Sequence, residues 1–178
     1  SHLQKLVFLD LSYNRIKEIQ GLEPLTGLRK LYLSANRIRK MEGLATLVNL
    51  TCLDVGDNKI RAIEGIDTLV NLEEFHAAKN KLTRIDGLAS LTNLMLVACQ
   101  ANFIQELSGL ETLTDLEELY LQQNQIKRIE NLHANTKLTI LDIAVNKLER
   151  LENLEHLPDL KDLWLNWNNL ADSEENRE

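Results

Sequence analysis

Residues 28–47 read L-R-K-L-Y-L-S-A-N-R-I-R-K-M-E-G-L-A-T-L, and each apolar position in that stretch returns 22 residues later. Leu31 is followed by Leu53, Phe75, Val97, Leu119, Leu141 and Leu163. Leu33 is followed by Val55, Ala77, Cys99, Leu121, Ile143 and Leu165, and Ile38 by Ile60, Leu82, Ile104, Ile126, Leu148 and Leu170. Leu44 is followed by Ile66, Leu88, Leu110, Leu132 and Leu154. An asparagine marks every period: Asn14, Asn36, Asn58, Asn80, Asn102, Asn124, Asn146 and Asn168. One period has too few apolar side chains to close a core, but stacked periods align them into a continuous spine.

In L-Y-L (31–33), alternation places Leu31 and Leu33 on one face and Tyr32 on the other, which predicts a short strand. Strands from successive periods are then parallel, in register and about 4.8 Å apart. The rest of the period is too short for a long helix plus loops, so 3₁₀ or single turns are expected on the return side. Leucines at set offsets from an asparagine, in a 22-residue period, are the signature of leucine-rich repeats. The expected fold is an α/β, right-handed leucine-rich-repeat solenoid. Its concave face is a parallel sheet and its convex face carries short 3₁₀ and turn segments. About eight repeats fill residues 3–170 as one domain, and 171–178 form a polar tail. Leu3 already sits in the Leu25 column and the pattern stops after Leu170, so the expected terminal caps are missing or truncated.

The asparagine column has a physical role. It falls where the chain leaves the strand and turns inward, and a buried amide there must be satisfied. Bonds to its own turn and to the adjacent repeat would make a ladder of all eight asparagines. A second column, Gly21, Gly43, Gly65, Gly87, Gly109, Asn131 and Asn153, holds the residues that best tolerate positive φ, and predicts one left-handed residue per coil. Asn135 interrupts a leucine column (Leu25, Leu47, Leu69, Leu91, Leu113, then Leu157), which predicts a looser convex side in the sixth repeat.

The 178 residues are 26% charged and 44% hydrophobic, with net charge −7. That balance, with a pI near 5.2, disfavours nucleic acid as a general partner. No apolar run approaches a membrane span and no signal peptide is visible, so no membrane partner is expected. Cys52 and Cys99 fall two repeats apart, roughly 10 Å by strand spacing, too far for a disulfide. Cys99 reads as a small core hydrophobe, and the absence of disulfide-rich caps favours an intracellular compartment.

Catalytic motifs are lacking, and His2, His76, His133 and His156 fall in different columns without ligand spacing. A non-catalytic chain without cofactor or metal is expected. Arg15, Lys17, Arg37, Arg39, Lys40, Lys59, Arg61, Lys81 and Arg84 cluster after the asparagines, beside Glu42, Glu64, Asp86, Glu130 and Glu152. A phosphate-binding ridge is one reading. A ladder of opposite charges that keeps a repeated surface soluble is the preferred one.

The informative surface is the strand position opposite the core: Asp10, Tyr32, Asp54, His76, Ala98, Tyr120, Asp142 and Trp164, with Trp167 at the rim. Glu74, Glu118 and Asp162 take the next groove-facing position. Large aromatics on an open face point to a binding surface, where Trp and Tyr are enriched as hot spots. The carboxylates suit a partner rich in Lys or Arg. The competing reading has the aromatics merely packing along the sheet.

The segments L-V-F-L-D-L-S-Y-N-R-I, I-R-A-I-E-G-I-D-T-L-V-N-L-E and K-L-T-I-L-D-I-A-V-N-K resemble the protein phosphatase 1 regulatory subunit 7 family, within the intracellular 22-residue class of leucine-rich repeats. The resemblance covers about residues 3–170. It implies a monomeric regulatory subunit of nucleus and cytoplasm, acting in mitosis. The implied partners are the protein phosphatase 1 catalytic subunit and, with it, a further inhibitor subunit. It also implies contact roles for Asp10, Tyr32, Asp54, Asp142, Asp162 and Trp164, to which the surface pattern adds His76, Tyr120 and Trp167. His76 departs from the aromatic hydrocarbon usual in that family, and the family's C-terminal cap has no counterpart after Leu170. A scaffold of the same class, of ciliary or spliceosomal type, is the alternative.

Overall fold

The computed structural model describes residues 3–171; the tail expected over 171–178 lies outside them apart from Ala171. Eight three-residue strands follow one another: β1 Phe8–Asp10, β2 Lys30–Tyr32, β3 Cys52–Asp54, β4 Glu74–His76, β5 Leu96–Ala98, β6 Glu118–Tyr120, β7 Ile140–Asp142 and β8 Asp162–Trp164. They form one sheet in chain order. Every pairing is parallel, with partners 22 residues apart, from Leu9↔Leu31 to Leu141↔Leu163. No helix among the described residues is long and apolar enough to cross a membrane.

Each strand starts one residue earlier than the L-Y-L pattern suggests. Only its middle residue enters the core, so its first and third residues share the groove face. Leu33 lies just beyond β2, buried where the chain bends inward, while its N–H still donates to the Asp54 carbonyl at 2.7 Å. The middle column, Leu31, Leu53, Phe75, Val97, Leu119 and Leu141, is fully buried. It joins Ile38, Met41, Leu44, Leu47 and their counterparts in a single core running the length of the stack.

The convex return is made of turns, with one 3₁₀ helix, Asp86–Leu88, among the described residues. Two successive i→i−3 bonds recur in each coil, as in Leu25 N–H to Leu22 and Leu28 N–H to Leu25, at 2.9 and 3.0 Å. Asn135 keeps this pattern, bonding Leu132 and receiving Leu138, so the sixth repeat is not loosened as expected. Its buried amide donates to the Leu110 and Leu113 carbonyls at 2.9 and 2.8 Å, which replaces the missing leucine by hydrogen bonds. A further ladder, which the apolar columns do not reveal, ties the convex side. Asn49, Asn71 and Asn93 each donate to a carbonyl of the preceding coil at 2.9–3.0 Å.

The left-handed column holds at Gly21, Gly43, Gly65, Gly109, Asn131 and Asn153. Gly87 is the exception, because it lies inside the 3₁₀ helix and has no positive φ. Its reason for being glycine is close approach, since a Cβ there would run into the Ile63 carbonyl. Where asparagine replaces glycine the side chain gains a bond to the coil before: Asn131 and Asn153 reach the Leu107 and Ile129 carbonyls at 2.6 Å.

The asparagine ladder is complete from Asn36 to Asn168. Each Oδ1 accepts from a backbone N–H of the previous coil at 2.9–3.0 Å, as Asn58 does from Ile38. Each Nδ2 donates to a previous-coil carbonyl at 2.9–3.1 Å. Among the described residues Asn14 bonds Leu11 and Ser12 of its own turn and no previous coil. Asn80→Ala is therefore expected to lower unfolding free energy by about 1–3 kcal/mol, the penalty for buried groups left unpaired. Asn14→Ala should fall clearly below that, and urea unfolding of the two variants side by side measures the difference.

Candidate functional site

The outward residues of the eight strands form two rows. The first runs Phe8, Lys30, Cys52, Glu74, Leu96, Glu118, Ile140, Asp162; the second runs Asp10, Tyr32, Asp54, His76, Ala98, Tyr120, Asp142, Trp164. Six carboxylates (Asp10, Asp54, Glu74, Glu118, Asp142, Asp162) thus face one lysine, Lys30. Asp10 and Asp162 are exposed, and Tyr32, Asp54, His76, Tyr120 and Asp142 are half-buried. Trp164 is 43% exposed and Trp167, three residues past the end of the sheet, is 81% exposed. Ala98 is buried, which separates the Tyr32–His76 half of the row from the Tyr120–Trp164 half.

The polar groups of these rows are held in place. Asp10, Asp54 and Asp142 each accept, through one carboxylate oxygen, the N–H two residues on: Ser12 at 2.8 Å, Gly56 at 2.8 Å and Ala144 at 3.0 Å. These are Asx turns, so each aspartate shapes the strand exit while its second oxygen has no part in that bond. The Ser12 N–H holds the Asp10 carboxyl below its ordinary range. The Tyr120 hydroxyl donates to Glu118 at 2.8 Å. Burial, then that acceptor, push its pKa up to about 12. The Tyr32 ring sits 5.4 Å from that of Phe8, tilted by 46°, so aromatic packing along the sheet does occur at this end. The Tyr32 hydroxyl lies 3.8 Å from the Cys52 sulfur, and that contact, then burial, raise its pKa to about 12.

The structure assembles one cluster that the histidine columns do not suggest. Cys52, Glu74 and His76 bring their ligand atoms within 4.8 Å of one another. His76 Nε2 is 3.5 Å from Glu74 Oε2. The signal was in the period: Cys52 and Glu74 pair directly in register, and His76 is two residues on, on the same face. Burial raises the Cys52 pKa to about 11 and that of fully buried Cys99 to about 12. Cys99 follows β5 and points into the core, and both thiols are free.

Outside the groove, basic and acidic columns pair along the coils. Lys40–Glu42 at 3.1 Å and Arg84–Asp86 at 2.9 Å join them, both well exposed and therefore screened by solvent and weak. A depression of about 720 Å³, lined by Lys17, Arg37, Arg39, Lys40 and Lys59 among others, also holds Glu18 and Glu42, so its charge is partly balanced.

Residues 4–46 and 26–68 match the family described as Leucine Rich repeats (2 copies). The chain is similar to internalin C2 of Listeria monocytogenes strain 4b F2365, with a TM-score of 0.91 and 27% identity over 97% of this chain and 76% of that one. It is also similar to the functional domain of InlJ from the same species, which includes a cysteine ladder, with a TM-score of 0.83 and 29% identity. A leucine-rich-repeat protein of Leptospira interrogans shares the fold, with a TM-score of 0.76 and 22% identity over 95% of this chain. The chain spans 36% of the InlJ structure and 57% of the Leptospira one. No curated protein matches it. The fold is a leucine-rich-repeat solenoid, an architecture whose extended concave surface commonly serves for binding.

Thiol chemistry tests the groove geometry. Cys52 is only 1% exposed at the floor of the groove and burial raises its pKa to about 11, so it should react with an aromatic disulfide reagent far more slowly than a free thiol at mildly alkaline pH, and faster as pH rises. Cys99 should react only when the protein is unfolded. Stopped reactions analysed by peptide mass will assign the two rates.

Proposed function

We propose that the chain is a non-catalytic regulatory subunit that docks the catalytic subunit of Ser/Thr protein phosphatase 1 in its concave groove and controls its activity or availability. The observation that carries the reading is a 43% exposed Trp164, in register with Asp142, at the last strand of a groove face that carries six carboxylates. Tryptophan is among the residues enriched at interface hot spots. The acid-and-aromatic order of the groove is also what resembles the protein phosphatase 1 regulatory subunit 7 family. Nucleus and cytoplasm, and a role in mitosis, come with that resemblance as part of the same proposal.

The mechanism is recognition. Trp164, Tyr120 and Tyr32 supply apolar area, and Trp167 extends it beyond the sheet edge. Asp10, Asp54, Asp142 and Asp162 set register against lysines and arginines of the partner, like charges there would be repelled, and His76 adds a polar contact. A partner that covers the groove removes the carboxylates from water, so each must meet a cation or a donor.

Calorimetric titration with the purified phosphatase catalytic subunit tests this. Trp164→Ala should weaken binding roughly 30-fold or more, equivalent to about 2 kcal/mol for a hot spot. Asp142→Asn keeps the acceptor for the Ala144 N–H and removes the charge. It should leave thermal stability unchanged while lowering the association rate and its salt dependence. A parent chain that does not bind the phosphatase, yet retains a different protein through Trp164, would favour the scaffold alternative.

A further inference from the structure

We infer that Cys52, Glu74 and His76 bind a divalent transition-metal ion of the zinc class in the first half of the groove. The three donors come from two adjacent strands, β3 and β4, whose register places Cys52 beside Glu74. Their ligand atoms already lie within 4.8 Å of one another. Four-coordinate zinc holds sulfur at about 2.3 Å and nitrogen or oxygen at about 2.0–2.2 Å, so neighbouring ligands are about 3.5 Å apart. A side-chain movement of about 1 Å therefore closes the set without moving the sheet. The inference is independent of which protein occupies the groove.

The donor set decides the ion. One thiolate, one imidazole and one carboxylate suit zinc or cobalt, and are poor for magnesium or calcium, which take oxygen ligands. Binding replaces the Cys52 S–H bond by a metal–sulfur bond and releases the thiol proton to solvent, so affinity rises with pH. The imidazole donates a ring-nitrogen lone pair, and the contact between His76 and Glu74 is exchanged for a shared ion. The Tyr32 hydroxyl, 3.8 Å from the sulfur, is placed to donate to the thiolate, a partner that steadies a metal ligand. Three protein ligands leave a fourth position for water or a donor from a bound partner.

The test is titration of the reduced full chain with cobalt(II), followed by displacement with zinc(II). One equivalent should bind, with a sulfur-to-cobalt charge-transfer band and visible bands of four-coordinate intensity. Cys52→Ser should abolish the charge-transfer band, and Cys99→Ala should leave it intact. His76→Gln and Glu74→Gln, both at half-buried positions, should weaken binding more than about 100-fold, beyond the about 10- to 100-fold that loss of an outer partner causes. Magnesium and calcium should not compete. Absence of a charge-transfer band in the parent, its persistence in Cys52→Ser, or unchanged affinity in His76→Gln would overturn the inference.

Discussion

One amide that bonds two coils at once sets everything else in this molecule. The leucine spine contributes far more free energy than the asparagines, but apolar burial is non-directional and tolerates sliding. The asparagine does not. Its Oδ1 is fixed on one N–H of the coil before, and its Nδ2 on a carbonyl five residues earlier in that coil, as with Asn80 on Ile60 and Val55. Both bonds survive only if the period stays at its value, so the ladder enforces the register that the sheet pairings display. That register is what carries Trp164 to the position of Asp142, and Glu74 to that of Cys52.

The turn that presents each amide is itself held under strain. The residue before each ladder asparagine, from Tyr13 through Ala35, Lys79 and Val145 to Trp167, adopts φ between 53° and 60° (49° at Asp57), and none is glycine. A left-handed residue with a Cβ costs about 1–2 kcal/mol. The compensation is local and repeated: the same residue's N–H donates to the next coil, as Ala35 does to Gly56 at 2.9 Å, while the following asparagine satisfies the backbone around it. Loss of a rung thus removes hydrogen bonds and the counterweight to a strained residue together. The bend also holds Trp167 and Tyr13 at the surface at opposite ends of the molecule, 81% and 88% exposed.

Period and columns were legible because a solenoid writes its contacts into sequence spacing. The core, the ladder and the outward face all follow from residues one period apart. What stayed hidden depended on contacts within or across columns that differ in residue type. Gly87 shares its column's identity but not its conformation, since the neighbouring coil's carbonyl constrains it and not the left-handed turn. Asn135 breaks a leucine column yet finds carbonyl acceptors that only three-dimensional proximity supplies. The non-glycine left-handed column has no compositional mark at all. The Cys52, Glu74 and His76 cluster leaves no mark in any one column, because its ligand set mixes residue types across two neighbouring strands.

The groove is preorganised, and this bears on what it can bind. Asp10, Asp54 and Asp142 each spend one oxygen on a backbone N–H, the Tyr120 hydroxyl is fixed by Glu118, and Tyr32 is fixed by Cys52 and the Phe8 ring. Side chains already ordered lose little further freedom on association, where each mobile one would lose about 0.5–1.5 kcal/mol. The free carboxylate oxygens point in directions set by the sheet, so they select a partner by the spacing of its cations and not by total charge alone. An acidic surface on a flexible loop would attract any basic protein. The same charges at fixed strand intervals, interrupted by Ala98 and ending on Trp164, discriminate between basic proteins by shape.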